Sequence, residues 1–396
     1  MSPLSRRDFV RRAALAVVAT QLPKAFGAEG GVSPVRPAVP SGEAAVPSVH
    51  WLDGVAPAAQ PGTTWGMPWP RGQYPAGTAF TLRQSAGGGL PVQSWPLAYW
   101  PDGSLKWTAH AIPADLAPAD GFELTEGTPL APARPLVVRE EEGAFEVDTG
   151  LIVARVARAG TVLVPVVRRE GRDTLRGGRL VLLRQDAPEG GAEPEAFAGE
   201  IGEAVLEQRG PVRAVVKISG RHVAAGRGWL PFVVRLYFYA GGDAIRVVHT
   251  IIHDGDEQKD FVRGLGLRFD VPLRGELHDR HVRFSGADDG LFGEAVRTVT
   301  GLRRDPGKAV RAAQIAGAAT PPVDTWDPRA GKRMHLVPAF GDWSLFQSSA
   351  DGFEIRKRTQ PGFTWLSAAR GQRAGGLGYV GTPQGGVAFG VRNFWQ

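Results

Sequence analysis

Cysteine is absent from all 396 residues. Disulfides, thiolate nucleophiles, iron–sulfur clusters and cysteine-based zinc sites are therefore excluded. Long apolar runs are missing too: the stretch from Ala13 to Thr20 is far too short to span a bilayer as a helix. Lysine is scarce, with 7 residues against 39 arginines, so the chain's basic character comes from arginine. The formal net charge is +6, but residues 1–27 hold five of the basic residues and one acid, and without them the net charge is +2. So balanced a chain gives no electrostatic support for nucleic-acid binding.

What is present begins with Ser5-Arg6-Arg7-Asp8-Phe9-Val10, the twin-arginine export signature. The apolar run follows it, then Pro23, Lys24 and the small-residue site Ala25-Phe26-Gly27. Cleavage after Gly27 places Ala25 and Gly27 at the small-residue positions. These residues predict export through the twin-arginine translocase, which usually carries folded proteins, to the periplasm or the extracellular space. Residues 28–46 read as a Pro/Gly/Ala linker.

Glycine (53) and proline (32) together exceed a fifth of the chain. That disfavours long helices and suits short strands joined by turns. The expected fold is mainly β: a small Trp-rich barrel over 47–140, then a large antiparallel β-sandwich over 141–396. In the first part a hairpin is predicted from Val92 to Trp100 and from Ser104 to Ile112 around Pro101-Asp102-Gly103. Alternation puts Leu105, Trp107, Ala109 and Ala111 on one face and Lys106, Thr108 and His110 on the other. Pro96 marks an edge strand or a bulge. Further strands are predicted at 150–157, 161–167, 180–183, 212–219, 229–239, 244–253, 265–271, 280–284, 343–347 and 387–391. Short helices are expected near 292–298 and 308–316, and a loop from Ala187 to Gly199. The chain stops on an aromatic segment ending Phe394-Trp395-Gln396, where a polar, frayed end is usual. The expectation is that further sequence followed it.

Five of the eleven tryptophans, Trp65, Trp69, Trp95, Trp100 and Trp107, lie within 65–107. They fit either the core of a small barrel or a platform for sugar rings. On the strand 229–239, Val234, Leu236 and Phe238 should face the core, leaving Arg235, Tyr237 and Tyr239 on the other side. That face suits an anionic sugar or an ordinary solvated sheet surface. His249 and His253 lie in a strand about 13 Å apart at about 3.3 Å per residue, too far to share one metal ion. The loop from Asp254 to Asp260 could bind Ca²⁺ through oxygens but departs from the EF-hand spacing, and a polar turn fits it better. No metal site is expected, and Ca²⁺ is the one cofactor for which any residues speak.

Two blocks carry a resemblance. Trp65-Gly66-Met67-Pro68-Trp69-Pro70-Arg71-Gly72 and the segment from Gln93 to Trp107 resemble the exo-rhamnogalacturonan lyases and bacterial YetA-like proteins of polysaccharide lyase family 26. The stretches 245–254, 259–266, 280–286, 349–358 and 385–396 look like the same family. The resemblance implies a RIFT-type barrel, a central β-sandwich and a C-terminal α/α toroid, of which this chain has the first two. It also implies β-elimination at a 4-linked uronic acid of an acidic polysaccharide. That chemistry needs a cation to neutralise the carboxylate, a base near the C5 proton and an acid for the leaving oxygen. By residue type and strand face, Arg235 and Arg263 are the candidate neutralisers and Tyr237 and His249 the candidate base or acid. Trp65, Trp69, Trp95, Trp100 and Lys106 are the substrate-binding candidates. The alternative is a non-catalytic carbohydrate-binding module or an inactive lyase fragment.

Overall fold

A computed structural model describes residues 47–395, except 53, 58–59, 86, 117–118, 190–192 and 288–289. The export signature and linker lie outside the described residues. Seven short strands come first: β1 (Ser48–His50), β2 (Thr63–Pro68), β3 (Phe80–Gln84), β4 (Gly89–Leu90), β5 (Gln93–Tyr99), β6 (Leu105–Ile112) and β7 (Gly121–Glu126). They form two antiparallel sheets, ordered β1-β7-β3-β4 and β2-β6-β5. These enclose a core of Phe80, Leu82, Leu90, Leu105, Ile112, Phe122, Leu124 and Trp69. The expected hairpin is β5–β6. Its turn is fixed by Asp102, which accepts from Ser104 Oγ (2.6 Å), Ser104 N (3.0 Å) and Arg71 Nε (2.9 Å). The Ser104 hydroxyl and then Arg71 hold that carboxyl down at about 2. Pro96 lies on the edge strand beside a register shift, so it removes no interior ladder bond.

The large sheet starts ahead of the division at residue 141. It comprises β8 (Val137–Glu141), β9 (Ala144–Asp148), β10 (Ile152–Ala157), β11 (Val164–Arg169), β12 (Arg172–Gln185), β13 (Glu195–Gln208), β14 (Arg213–Ala224), β15 (Arg227–Tyr239), β16 (Arg246–Ile251) and β17 (Phe261–Asp270). Neighbours in sequence pair in order from β8 to β16, and β17 pairs with β12. Val138, Phe145, Val147 and Ile152 from one end share a core with Val216, Ile218, Phe232, Val234 and Phe238 from the other. The sheet thus doubles back to bury its alternate apolar positions. Burying each such side chain is worth about 1.5–3 kcal/mol.

Beyond it lie β18 (His281–Ser285), β19 (Leu291–Ala295), β20 (Asp342–Ser349), β21 (Gly352–Arg358), β22 (Leu366–Gly371), β23 (Leu377–Thr382) and β24 (Gly385–Gly390). Two small sheets, β19-β18-β23-β24 and β20-β21-β22, share a second core around Val282, Phe284, Phe353 and Ile355. Helix α1 spans Lys308–Ala316 and stops at Gly317, whose left-handed φ of 70° suits a residue without a side chain. No helix among the described residues is long and apolar enough to cross a membrane.

Three expectations need correction. The segment 292–298 is not helical: Leu291–Ala295 is a strand, because it pairs residue for residue with His281–Ser285. The expected loop 187–199 becomes strand at Glu195, where Phe197 is buried and lies opposite Leu182. Trp107 does not join the buried face of β6. It is 40% exposed, while Thr108 and His110, from the face read as polar, are buried.

Candidate functional site

The outer face of β13–β16, where it meets the barrel, gathers the densest chemistry. Register puts Lys217 opposite Arg235, Val215 opposite Tyr237 and Arg213 opposite Tyr239. It also puts Arg246 opposite Tyr237 and Val248 opposite Arg235. Directly paired residues share a sheet face. Arg213, Lys217, Arg235, Tyr237 and Arg246 therefore all lie opposite the apolar face carrying Val216, Val234 and Leu236. Tyr237 stands between two guanidinium groups, Arg213 at 4.9 Å and Arg246 at 5.6 Å from its ring centre. Arg213 in turn has the barrel's Trp95 ring at 4.9 Å.

The barrel is fastened to this face by polar contacts. Gln93 Oε1 accepts from the backbone of Val212 (3.1 Å) and Arg213 (2.8 Å). Thr64 Oγ1 and the Tyr239 hydroxyl lie 2.8 Å apart. Gly62, at φ 76°, passes so close to the Tyr239 ring that a Cβ there would collide with it. Ala111, Val212 and Tyr239 close the apolar part of the contact.

Electrostatically the face is a cationic shelf. Glu207 engages Arg235 twice, Nε to Oε2 at 2.7 Å and Nη2 to Oε1 at 2.9 Å. That pairing lowers the Glu207 pKa and raises that of Arg235. Among the described residues, Arg213, Lys217 and Arg246 have no carboxylate partner. Burial weighs against the charge on Arg213, and its Nε is buried without a hydrogen-bond partner.

The other candidates lie elsewhere. His249 sits opposite Val234, on the core side of the sheet and across it from Arg235 and Tyr237. Its ring centre lies 6.3 Å from that of His222, and burial lowers the pKa of both. His222 Nδ1 lies 2.7 Å from the Leu230 carbonyl and serves as its donor. Leu230, at φ 51°, is the extra residue of a bulge, and its amide donates to Asp254. Arg263 is exposed on β17. Of the tryptophans, Trp69 is 4% exposed and stacks on Phe80 at 5.3 Å, while Trp65 leans on the buried His110 at 5.5 Å. Both belong to the barrel core. Trp95 serves the junction. Trp100 is half-buried at the hairpin tip with Lys106 Nζ 4.7 Å from its ring centre.

Residues 136–396 match the family described as the PcRGLX-like protein central beta sandwich domain, and residues 45–127 match the PcRGLX-like N-terminal RIFT barrel domain. The chain belongs to the PcRGLX-like family. It is also 35% identical over 357 residues to the uncharacterized protein YetA of Bacillus subtilis (strain 168). That similarity covers 88% of this chain and 41% of the relative, so the chain spans less than half the length of the protein it matches.

In this PcRGLX-like chain the acidic loop 254–260 is organised by arginines. Asp254 accepts from Leu230 N (2.8 Å) and Arg221 Nη1 (2.6 Å). Asp260 accepts from Arg184 Nε (2.6 Å), Arg227 Nη2 (2.6 Å) and the Asp256 amide (2.8 Å). Burial opposes ionisation of Asp260, but these donors, Arg227 first, hold its carboxyl well below the usual range. No group of three or more metal-ligating side chains forms among the described residues. Sequence reasoning reached Arg235, Tyr237 and Trp95 but missed Arg213, Lys217 and Arg246. Arg213 and Lys217 are an even number of positions apart on a strand whose intervening residues are apolar. That alternation was the available signal.

Proposed function

We propose that this chain is the glycan-holding β portion of an exported protein related to the rhamnogalacturonan lyases, and that the shelf at the barrel–sandwich junction receives a uronate carboxylate. The observation that carries the reading is the set of cations without carboxylate partners beside Tyr237 and Trp95. A guanidinium can neutralise the carboxylate and acidify the C5 proton. Tyr237, beside these guanidinium groups, would exchange a proton with substrate as base or acid. The reaction breaks the C5–H and C4–O bonds of the uronate and forms the C4–C5 double bond. The proton goes to the base, and the leaving oxygen takes one from the acid. No oxidant or water is consumed. Arg235 contributes through its carboxylate-matching fork once Glu207 yields it. His249, on the core side of the sheet, and Arg263, exposed on β17, stand apart from this pair.

Trp100 and Lys106 at the hairpin tip, with the exposed Trp107 nearby in sequence, favour a second, binding-only role for the barrel. Export to the periplasm or extracellular space, with the twin-arginine translocase as the partner in transit, is part of the same proposal. It rests on Arg6, Arg7 and Phe9.

The test is incubation with rhamnogalacturonan oligosaccharides, followed by ultraviolet absorbance of the unsaturated uronate and by glycan binding. Unsaturated ends formed by the wild type, and lost together in Arg235→Ala and Tyr237→Phe, support the lyase. Binding without turnover supports the carbohydrate-binding role. Saturated reducing ends would sink the elimination chemistry.

A further inference from the structure

A pocket of about 380 Å³ opens beside the β11–β12 turn, within the size range of small-ligand sites. Three chain segments meet there: the β11–β12 turn, residues 271–274 after β17, and the β23–β24 turn. Arg169 and Arg172 are paired directly across the β11–β12 ladder. Like charges in that position repel each other. Asp243 relieves Arg169 at 2.8 Å. Arg172 has no carboxylate partner among the described residues, and neither does Arg274 on the opposite wall. The nearby Asp173 is already taken by Arg168 (2.9 Å) and Arg176 (2.8 Å), so it cannot compensate them. Pro272 and Leu273 add an apolar wall. Gly386 forms part of the rim.

We propose that this pocket binds the carboxylate-bearing end of an acidic sugar. Arg172 and Arg274 take the carboxylate, Pro272 and Leu273 lie under the apolar ring face, and Glu170 accepts from a hydroxyl. The preference for an anion follows from the pocket alone, and the sugar class rests on the proposed function.

The experiment is calorimetric titration of the protein with digalacturonate, galactose and inorganic phosphate, for the wild type and the double variant Arg172→Ala/Arg274→Ala. Both arginines are exposed, so an unchanged melting temperature checks the variant's fold. Digalacturonate binding that falls about tenfold or more in the variant is expected, with phosphate weaker and galactose silent. Binding that is absent, or equal in wild type and variant, overturns the proposal. So does equally tight phosphate binding, which would make this a plain anion site. Arg235→Ala separates the two readings. In the Arg235→Ala background the drop caused by Arg172→Ala/Arg274→Ala should persist, and its disappearance there would place the sugar on the shelf instead. A wild type that binds digalacturonate through Arg172 and Arg274 yet forms no unsaturated product would remove the lyase reading and leave this one standing.

Discussion

Acidification probes the barrel core through one side chain. His110 is fully buried. Its Nδ1 lies 2.8 Å from Ser94 Oγ and its Nε2 lies 2.6 Å from Thr108 Oγ1, which also accepts from Trp69 Nε1 at 2.7 Å. Burial pushes its pKa from the ordinary 6.5 down to about 4. Below pH 6.5 the unfolded chain takes up a proton that the folded chain refuses until about pH 4. Stability from this residue is therefore complete above 6.5 and drains away as pH falls through that window. With 1.36 kcal/mol per pH unit, the loss is about 2 kcal/mol by pH 5 and about 3 kcal/mol by pH 4. The assay is urea unfolding followed by tryptophan fluorescence at successive pH values, comparing wild type with His110→Gln. His222, His249 and His278 are also lowered by burial, so the wild-type fall should exceed His110's share. The difference between the two proteins isolates that share. The variant should start less stable at neutral pH yet decline less, the gap narrowing by about 2 kcal/mol at pH 5. Parallel curves would refute the reasoning, as would an NMR titration showing His110 charged in the folded protein at pH about 6.

Three further outcomes follow from single sites. Asp260 has a side chain only 2% exposed and faces two arginines, so Asp260→Ala should destabilise by about 3–5 kcal/mol, read from the urea midpoint. Its folded pKa is depressed, so this contribution is present above the unfolded value of 3.8 and is lost as pH falls below it. Ala225 and Gly226 form the two-residue β14–β15 turn at φ 45° and 79°; Ala225→Asn should raise the melting temperature by relieving about 0.5–1 kcal/mol of left-handed strain. Gly62→Ala should drive a Cβ into the Tyr239 ring, loosening the barrel–sandwich contact. Limited proteolysis between residues 127 and 136 should then speed up, and an unchanged cleavage rate would deny the contact its role.

Much of the fold was legible because alternation is a local property. Val234, Leu236 and Phe238 declared one face of β15, and the same three are buried. The helix expected near 308–316 is present as Lys308–Ala316, capped by Gly307 and Gly317. The errors have a physical pattern. β13 is rich in Ala, Gly and Glu, so it gave little apolar signal and its first residues, 195–199, read as loop. On β6, Trp107 follows alternation but points to solvent, and His110 is buried because Ser94 and Thr108 satisfy it. A neutral, hydrogen-bonded imidazole is a core residue that composition cannot reveal. Leu230 adds one residue to β15. A single-residue insertion changes which side chains face inward, and that is why Trp229 and Leu230 are both buried.

The candidate site was less legible because it lies between elements distant in sequence. Trp95 and Tyr237 each lie with their ring centre 4.9 Å from the Arg213 guanidinium although 142 positions separate them. Each aromatic face offers about 0.5–2 kcal/mol of attraction to the cation. Against this stand the desolvation of Arg213 and an unpaired buried Nε, which costs about 1–3 kcal/mol. Lys217 and Arg246 add like charge on the same face. These terms roughly cancel, so the shelf contributes little to stability and a leucine at 213 would serve packing as well. Arrangements that break local electrostatic rules without a structural return concentrate where ligands bind. An anion that reached Arg213 together with Lys217 or Arg246 would relieve the stranded guanidinium and neutralise its neighbours in one step.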